Sequence, residues 1–187
     1  MIGILVGETM ITSDSKIAVL SMDIEDWYHL DYFNKDNCDR SFSYLDGVER
    51  YCDILTRHQV TSSFFVLAEI ANSIGGILKD IISNNYEIGS HGYSHTRPIN
   101  LSEEKFYKEI IKSKKIIENI ISQPIEGYRA SCFSIDRSRL NKVEQAGFTY
   151  DSSLIDFSSH PLYETINMDG FKMLQNNIYK KNKFFEF

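Results

Sequence analysis

Two histidines four residues apart, His91 and His95, lie in the Gly- and Ser-containing stretch Ser90-His91-Gly92-Tyr93-Ser94-His95 and can point at a common centre. Imidazole is the commonest protein ligand for zinc-like cations, and such sites often add a carboxylate. Carboxylates stand upstream in Ser21-Met22-Asp23-Ile24-Glu25-Asp26-Trp27, directly after the uncharged run Ile17-Ala18-Val19-Leu20. The acids therefore read as lying at the mouth of a buried strand. Each block alone could be an ordinary surface loop; with two further blocks downstream, Gly127-Tyr128-Arg129-Ala130-Ser131 and Tyr150-Asp151-Ser152-Ser153, they point to a metal site.

Positioning such a site requires strands that end where these blocks begin. Ile17 to Met22, Val60 to Leu67, Tyr86 to Gly89, Glu126 to Arg129, Phe148 to Tyr150 and Phe184 to Phe187 read as strands, the first two buried on both faces. Between them come helical stretches. One is opened by Asp46-Gly47. Ala68 to Ile74 ends at Gly75-Gly76, and Ile77 to Ser83 ends at Asn84-Asn85. Asn100 with Glu103 resembles a capping box for a helix whose apolar stripe is Phe106, Ile110, Ile117 and Ile121. Ser134 to Ala146 is a helix stopped by Gly147. Strand and helix alternate, and each chemical block falls where a strand gives way to a loop. That is the arrangement of an α/β fold, either a parallel barrel or a doubly wound sheet, with its site at the strand C-terminal ends.

Composition narrows the classes. The 187 residues suffice for one domain with a proper core, and 42% apolar with 25% charged content is that of a globular chain. A net charge of -6 without a basic stripe argues against nucleic acid as partner. Cys38, Cys52 and Cys132 form no C-x-x-C pair and suggest a reducing compartment, so a cytoplasmic location is expected. Residues 1–16 read as a leader or short extension without a basic n-region, too short for a membrane span.

The four blocks, in this order and spacing, resemble the polysaccharide deacetylase family, the NodB-homology domain of carbohydrate esterase family four. Asp23-Ile24-Glu25-Asp26-Trp27 looks like the branch acting on exopolysaccharides and cell-surface glycans, and Ser90-His91-Gly92-Tyr93-Ser94-His95 is the most specific element. The resemblance covers roughly residues 17–155 and implies a distorted (β/α) barrel of the NodB type over residues 17–187. It also implies one divalent cation, usually zinc, and hydrolysis of N-acetyl groups on a saccharide substrate. By position, Asp23 would be the general base, His91 and His95 metal ligands, and Arg129 the residue orienting Asp23. Asp151 would orient a late histidine that protonates the leaving amine, and a backbone N–H after Arg129, such as that of Cys132, would help hold the oxyanion.

The third ligand is left open between two residues. Relatives place it directly after the base, where this chain has Ile24. Strand alternation puts Glu25 on the same side as Asp23, whereas a turn beginning at Glu25 would present Asp26. Two further departures stand out. Ser131 occupies a position where relatives have proline, and no late Leu-x-His block follows, His160 being a poor substitute. These, with the break inside an apparent strand at Phe187, suggest a barrel incomplete at its C-terminus. A non-catalytic glycan-binding module on the same fold, or a hydrolase of a non-sugar amide, are the competing readings. His29 reads as a cleft-lining loop residue, Cys132 as a small buried one, and Trp27, Tyr28, Tyr32 and Phe33 as residues that stack on sugar rings or pack under the loop.

Overall fold

The computed structural model of the chain describes residues 18–31, 33, 37–155 and 166–187. Five parallel strands come first: β1 (Ser21–Ile24), β2 (Ser63–Val66), β3 (Glu87–Ser90), β4 (Gly127–Tyr128) and β5 (Tyr150–Asp151). They are followed by β6 (Lys172–Gln175), β7 (Ile178–Lys181) and β8 (Phe184–Glu186). The sheet order is β1-β2-β3-β4-β5-β8-β7-β6, with β8 parallel to β5 and the β6–β7 hairpin antiparallel at the edge. Among the described residues the sheet stays open, ending at β1 and β6. This is the α/β, NodB-type architecture expected from the sequence, with parallel strands delivering their C-terminal ends to one rim.

Helices α1 (Gly47–His58), α2 (Ala68–Ala71), α3 (Gly75–Ser83), α4 (Glu103–Ile121) and α5 (Arg137–Gln145) supply the crossovers. The longest, α4, packs against α2, α3, α5 and β3. It does so through Phe106, Ile110, Ile117 and Ile121, all buried and all at helical spacing, as the sequence pattern requires. No described helix is long and apolar enough to cross a membrane.

Three expectations need correction, and one element is new. The first strand starts at Ser21, not at Ile17; Val19 is 83% exposed, so the apolar run before the acids is not buried on both faces. Gly75-Gly76 opens α3 instead of ending α2, and a Cβ at Gly75 would lie 3.5 Å from Ile120, so α3 and α4 approach closely there. Asn100 closes a 3-10 turn that Pro98 begins, and the cap of α4 is Ser102, whose hydroxyl accepts from Lys105 N–H at 3.3 Å. The β6–β7 hairpin was not foreseen: β6 is exposed at every position and therefore carries no buried-face alternation to read.

Gly127 lets β4 lie against its neighbour, because a Cβ there would come within 2.2 Å of the Tyr150 ring. Ile117, at the centre of the α4 stripe, is fully buried. We expect Ile117→Ala to lower unfolding free energy by about 2–5 kcal/mol, read as a shifted denaturant midpoint at unchanged slope.

Candidate metal centre

The histidine turn leaves the end of β3 with a braced backbone. Gly92 sits at φ +88°, a conformation that L side chains rarely adopt, and a Cβ would also crowd Glu109 Oε1 at 3.3 Å. Gly92 N–H donates to Ser90 Oγ (3.1 Å), Ser90 and Ser113 share a hydroxyl contact (2.7 Å), and Ser113 Oγ–H donates back to the Gly92 carbonyl (2.9 Å). Ser113 and Glu109 belong to α4, and Glu109 Oε1 accepts from Tyr93 N–H at 2.7 Å. Burial raises the Glu109 carboxyl, while the N–H groups of Tyr93 and Ser94 pull it back. These α4 residues were missed at the sequence level, since a serine and a glutamate on a helix full of polar residues carry no distinguishing signal.

Both imidazoles that the turn presents are buried, and each has one ring nitrogen engaged. His91 Nδ1 lies 3.0 Å from the Arg129 carbonyl and His95 Nδ1 lies 3.0 Å from the His29 carbonyl. A carbonyl only accepts, so each Nδ1 carries the proton and each Nε2 presents its lone pair. The Nε2 atoms face acids of the first strand: His95 Nε2 is 3.1 Å from Glu25 Oε2, and His91 Nε2 is 3.9 Å from Asp23 Oδ2. Burial pushes the His91 imidazole below its ordinary range and so favours the neutral ring, an effect partly offset by the Asp23 carboxylate.

Glu25, His91 and His95 each offer one donor atom, and these atoms lie within 4.8 Å of one another. Two neutral imidazoles and one carboxylate suit a divalent cation such as zinc and leave it with positive charge and open positions. Between the two acids left open by the sequence, the geometry favours Glu25. Side-chain alternation continues past Ile24, itself 1% exposed on the opposite face, so Glu25 emerges beside Asp23. Asp26 instead caps the 3-10 turn Trp27–His29, its Oδ1 accepting from Trp27 N–H (2.9 Å) and Tyr44 N–H (3.1 Å).

His29 is not a cleft-lining loop residue. It is 3% exposed, its Nδ1 accepts from Asp26 N–H at 2.8 Å, and its Nε2 lies 3.0 Å from Glu69 Oε1 without an aligned hydrogen bond. Its backbone carbonyl is the one that holds His95. Cys132 is half-buried and not enclosed, with its Sγ 3.7 Å from Asp31 Oδ2. Asp31, His95 and Cys132 form a second donor cluster, but Arg97 already neutralises Asp31 at 2.6 Å.

Arg129 ties the site together across the sheet. Its NH1 donates to Asp23 Oδ1 (3.0 Å) and Ser21 Oγ (2.9 Å), its Nε to the Ser152 carbonyl (3.0 Å), and its NH2 to Ser152 Oγ (2.9 Å). The guanidinium lies 4.1 Å from the centre of the Phe65 ring. Ser131 is buried and its hydroxyl donates to the His91 carbonyl at 3.1 Å, so it serves as a tie between two blocks. Asp151 lies at the end of β5 with its carboxyl on Ser153 N–H (2.9 Å) and Ser153 Oγ (3.0 Å). Burial raises that carboxyl to about 7. His160 and Tyr32 fall outside the described residues. Trp27 stacks on Phe42 (5.0 Å, 9°) and meets Phe33 edge-on, and both phenylalanines stay partly exposed.

The sequence profile of a family described as polysaccharide deacetylase matches residues 36–150. The peptidoglycan deacetylase of Helicobacter pylori is 24% identical over 117 residues, covering 63% of this chain and 40% of that protein. A peptidoglycan-N-acetylglucosamine deacetylase of Bacillus cereus is 32% identical over 76 residues, covering 41% of this chain and 28% of that protein. The chain thus spans well under half the length of these curated relatives. Among solved structures, a family four carbohydrate esterase pseudoenzyme from Bacillus anthracis shares the fold at TM-score 0.59 and 18% identity, over 72% of this chain and 42% of that one.

The closed hydrogen-bond ring through Ser113 gives a direct test of the bracing. Ser113→Ala leaves the Gly92 carbonyl with Ala68 N–H (3.0 Å) as its remaining donor but strips the buried Ser90 hydroxyl of its side-chain partner, and we expect a loss of about 1–3 kcal/mol in chemical denaturation. Ser83→Ala, at an exposed helix end, should change stability by no more than about 0.5 kcal/mol.

Proposed function

The chain belongs to the polysaccharide deacetylase family, and on that premise we propose that it hydrolyses N-acetyl groups on a saccharide using one divalent cation, zinc by preference, held by Glu25, His91 and His95. The observation that carries this reading is the convergence of those three donors, with both Nδ1 atoms already turned onto carbonyls. A cation bound there would supply Lewis acidity towards the acetamide carbonyl and ease deprotonation of water near neutral pH.

The remaining work falls to the chain's own residues. Asp23 has its Oδ1 committed to Arg129, which leaves Oδ2, the oxygen facing His91, to accept the proton of the attacking water. Arg129 fixes the carboxylate plane through a charge-assisted bond, and its hold on Ser152 stops the guanidinium from swinging away. The backbone N–H of Cys132, in the turn after Arg129 where Cys132 takes φ 55°, would help hold the developing oxyanion. The exposed parts of Phe33 and Phe42 could pack on the C–H-rich face of a pyranose. The names of the relatives make N-acetylglucosamine-containing glycans the first substrates to try.

Elemental analysis beside acetate release from N-acetylglucosamine oligomers tests the assignment. His91→Ala and His95→Ala should each abolish metal uptake. Asp23→Asn should keep the metal and lose about 100- to 10,000-fold in acetate release. Full metal content in the double histidine variant would refute the site. Metal and saccharide binding without any acetate release would favour the non-catalytic module instead.

A further inference from the structure

On β8 the chain reads Phe184-Phe185-Glu186-Phe187, and Glu186 shares the core-facing side with Phe184. A carboxyl there is unusual: Glu186 is fully buried, in a strand whose pattern would accept an aliphatic residue. Its register partner on β5 is Asp151, equally buried, and the two carboxyl groups converge on one donor, Ser153 N–H, at 2.9 Å from Asp151 Oδ1 and 3.3 Å from Glu186 Oε1. Two buried carboxylates cannot both be ionised at that separation without a cation between them. Among the described residues the one cation that acts on the pair, Arg129, lowers the Asp151 carboxyl only as a minor effect and hydrogen-bonds neither acid. Arg129 on β4 has its nitrogens on Ser21, Asp23 and Ser152, while Tyr128 and Tyr179, on the strands either side, are phenols.

The hydrogen bonds locate the proton. Glu186 Oε1 accepts from Leu154 N–H (2.8 Å) and Ser153 N–H (3.3 Å), so it is the acceptor oxygen. Glu186 Oε2 is buried without a hydrogen-bond partner among the described residues, so it is the oxygen left to carry a proton. Asp151 in turn holds Ser153, whose Oγ accepts from Ala130 N–H at 2.8 Å. The neighbouring Ser152 grips Arg129 through both its carbonyl and its hydroxyl.

We propose that Glu186 and Asp151 share a single proton, and that this pair clamps the Ser152-Ser153 turn which aligns Arg129 on Asp23, making Glu186 a positioning residue. The chain of contacts runs from β8 through Asp151, Ser153 and Ser152 to Arg129 and Asp23. It rests on the deacetylase reading for its effect on turnover, but the shared proton can be read without any substrate. Burial as the leading cause raises both carboxyls, in line with one of them staying protonated near neutrality.

The test compares Glu186→Gln with Glu186→Ala in the full chain. Glutamine reproduces the protonated carboxyl, with an oxygen for the two backbone N–H groups and an N–H for Asp151. Glu186→Gln should therefore retain wild-type metal content, kcat and KM for acetate release. Glu186→Ala should keep its metal and lose about 100-fold in kcat with little change in KM, as expected for a displaced base. A carboxyl that keeps its proton in the fold but loses it in the unfolded chain destabilises the native state as pH rises above about 4. Wild-type Tm should accordingly fall relative to that of Glu186→Gln between about pH 5 and pH 8. Parallel Tm curves for the two proteins would overturn the shared proton, even if no acetate release were found in either. A Glu186→Ala enzyme as fast as wild type, or a Glu186→Gln enzyme as slow as Glu186→Ala, would overturn the positioning role. If Glu186→Ala fails to fold, the Glu186→Gln kinetics and Tm curves still decide.

Discussion

Everything at the rim depends on two backbone carbonyls. The Arg129 and His29 carbonyl oxygens take the Nδ1–H groups of His91 and His95, and a buried imidazole so held has one tautomer and one direction to point. The constraint is strict because both rings are removed from water, where a rotated ring would leave its N–H unmet at a cost of about 1–3 kcal/mol. The parallel sheet exists, for functional purposes, to bring those carbonyls to the same place. His29 follows β1, His91 directly follows β3 and Arg129 directly follows β4, so three strands define the orientation of two rings.

Arg129 performs the same service for charge. Its carbonyl holds His91 and its guanidinium holds Asp23, so in the proposed mechanism a single residue would couple metal geometry to proton acceptance. Such coupling explains why the second contact of the arginine, onto Ser152, matters. A guanidinium held only by Asp23 could follow that carboxylate, whereas one gripped from β5 and stacked on Phe65 forces the carboxylate to follow it. The Ser131 hydroxyl, bonded to the His91 carbonyl, ties the turn after Arg129 to the histidine block by a side chain.

How legible this was in the sequence follows from what kind of signal each feature leaves. The histidine turn, the acids at the first strand and the arginine after the fourth are chemical residues at strand ends, and residue type with position was enough to find them. The α4 stripe was legible because burial on one helix face imposes a period. The choice between Glu25 and Asp26 was not, because it turns on whether a side chain caps the next 3-10 turn, and Asp26 does so through bonds to Trp27 and to Tyr44, which is 18 residues away. His29 was read as lining the cleft, and Ser113 and Glu109 escaped notice, for a similar reason: their partners are remote in sequence and their residue types are unremarkable in a loop or on a helix. Gly75-Gly76 misled because glycine pairs more often stop helices than permit close helix packing. The edge hairpin β6–β7, exposed along β6, offered no periodicity at all.

The most direct measurement is X-ray absorption at the metal edge of the zinc-loaded protein. The account predicts nitrogen and oxygen neighbours at about 2.0–2.2 Å with the multiple-scattering pattern of two imidazoles and no sulfur. A sulfur neighbour, which would bring in Cys132, or the signature of a single imidazole would contradict the convergence of Glu25, His91 and His95 on one ion.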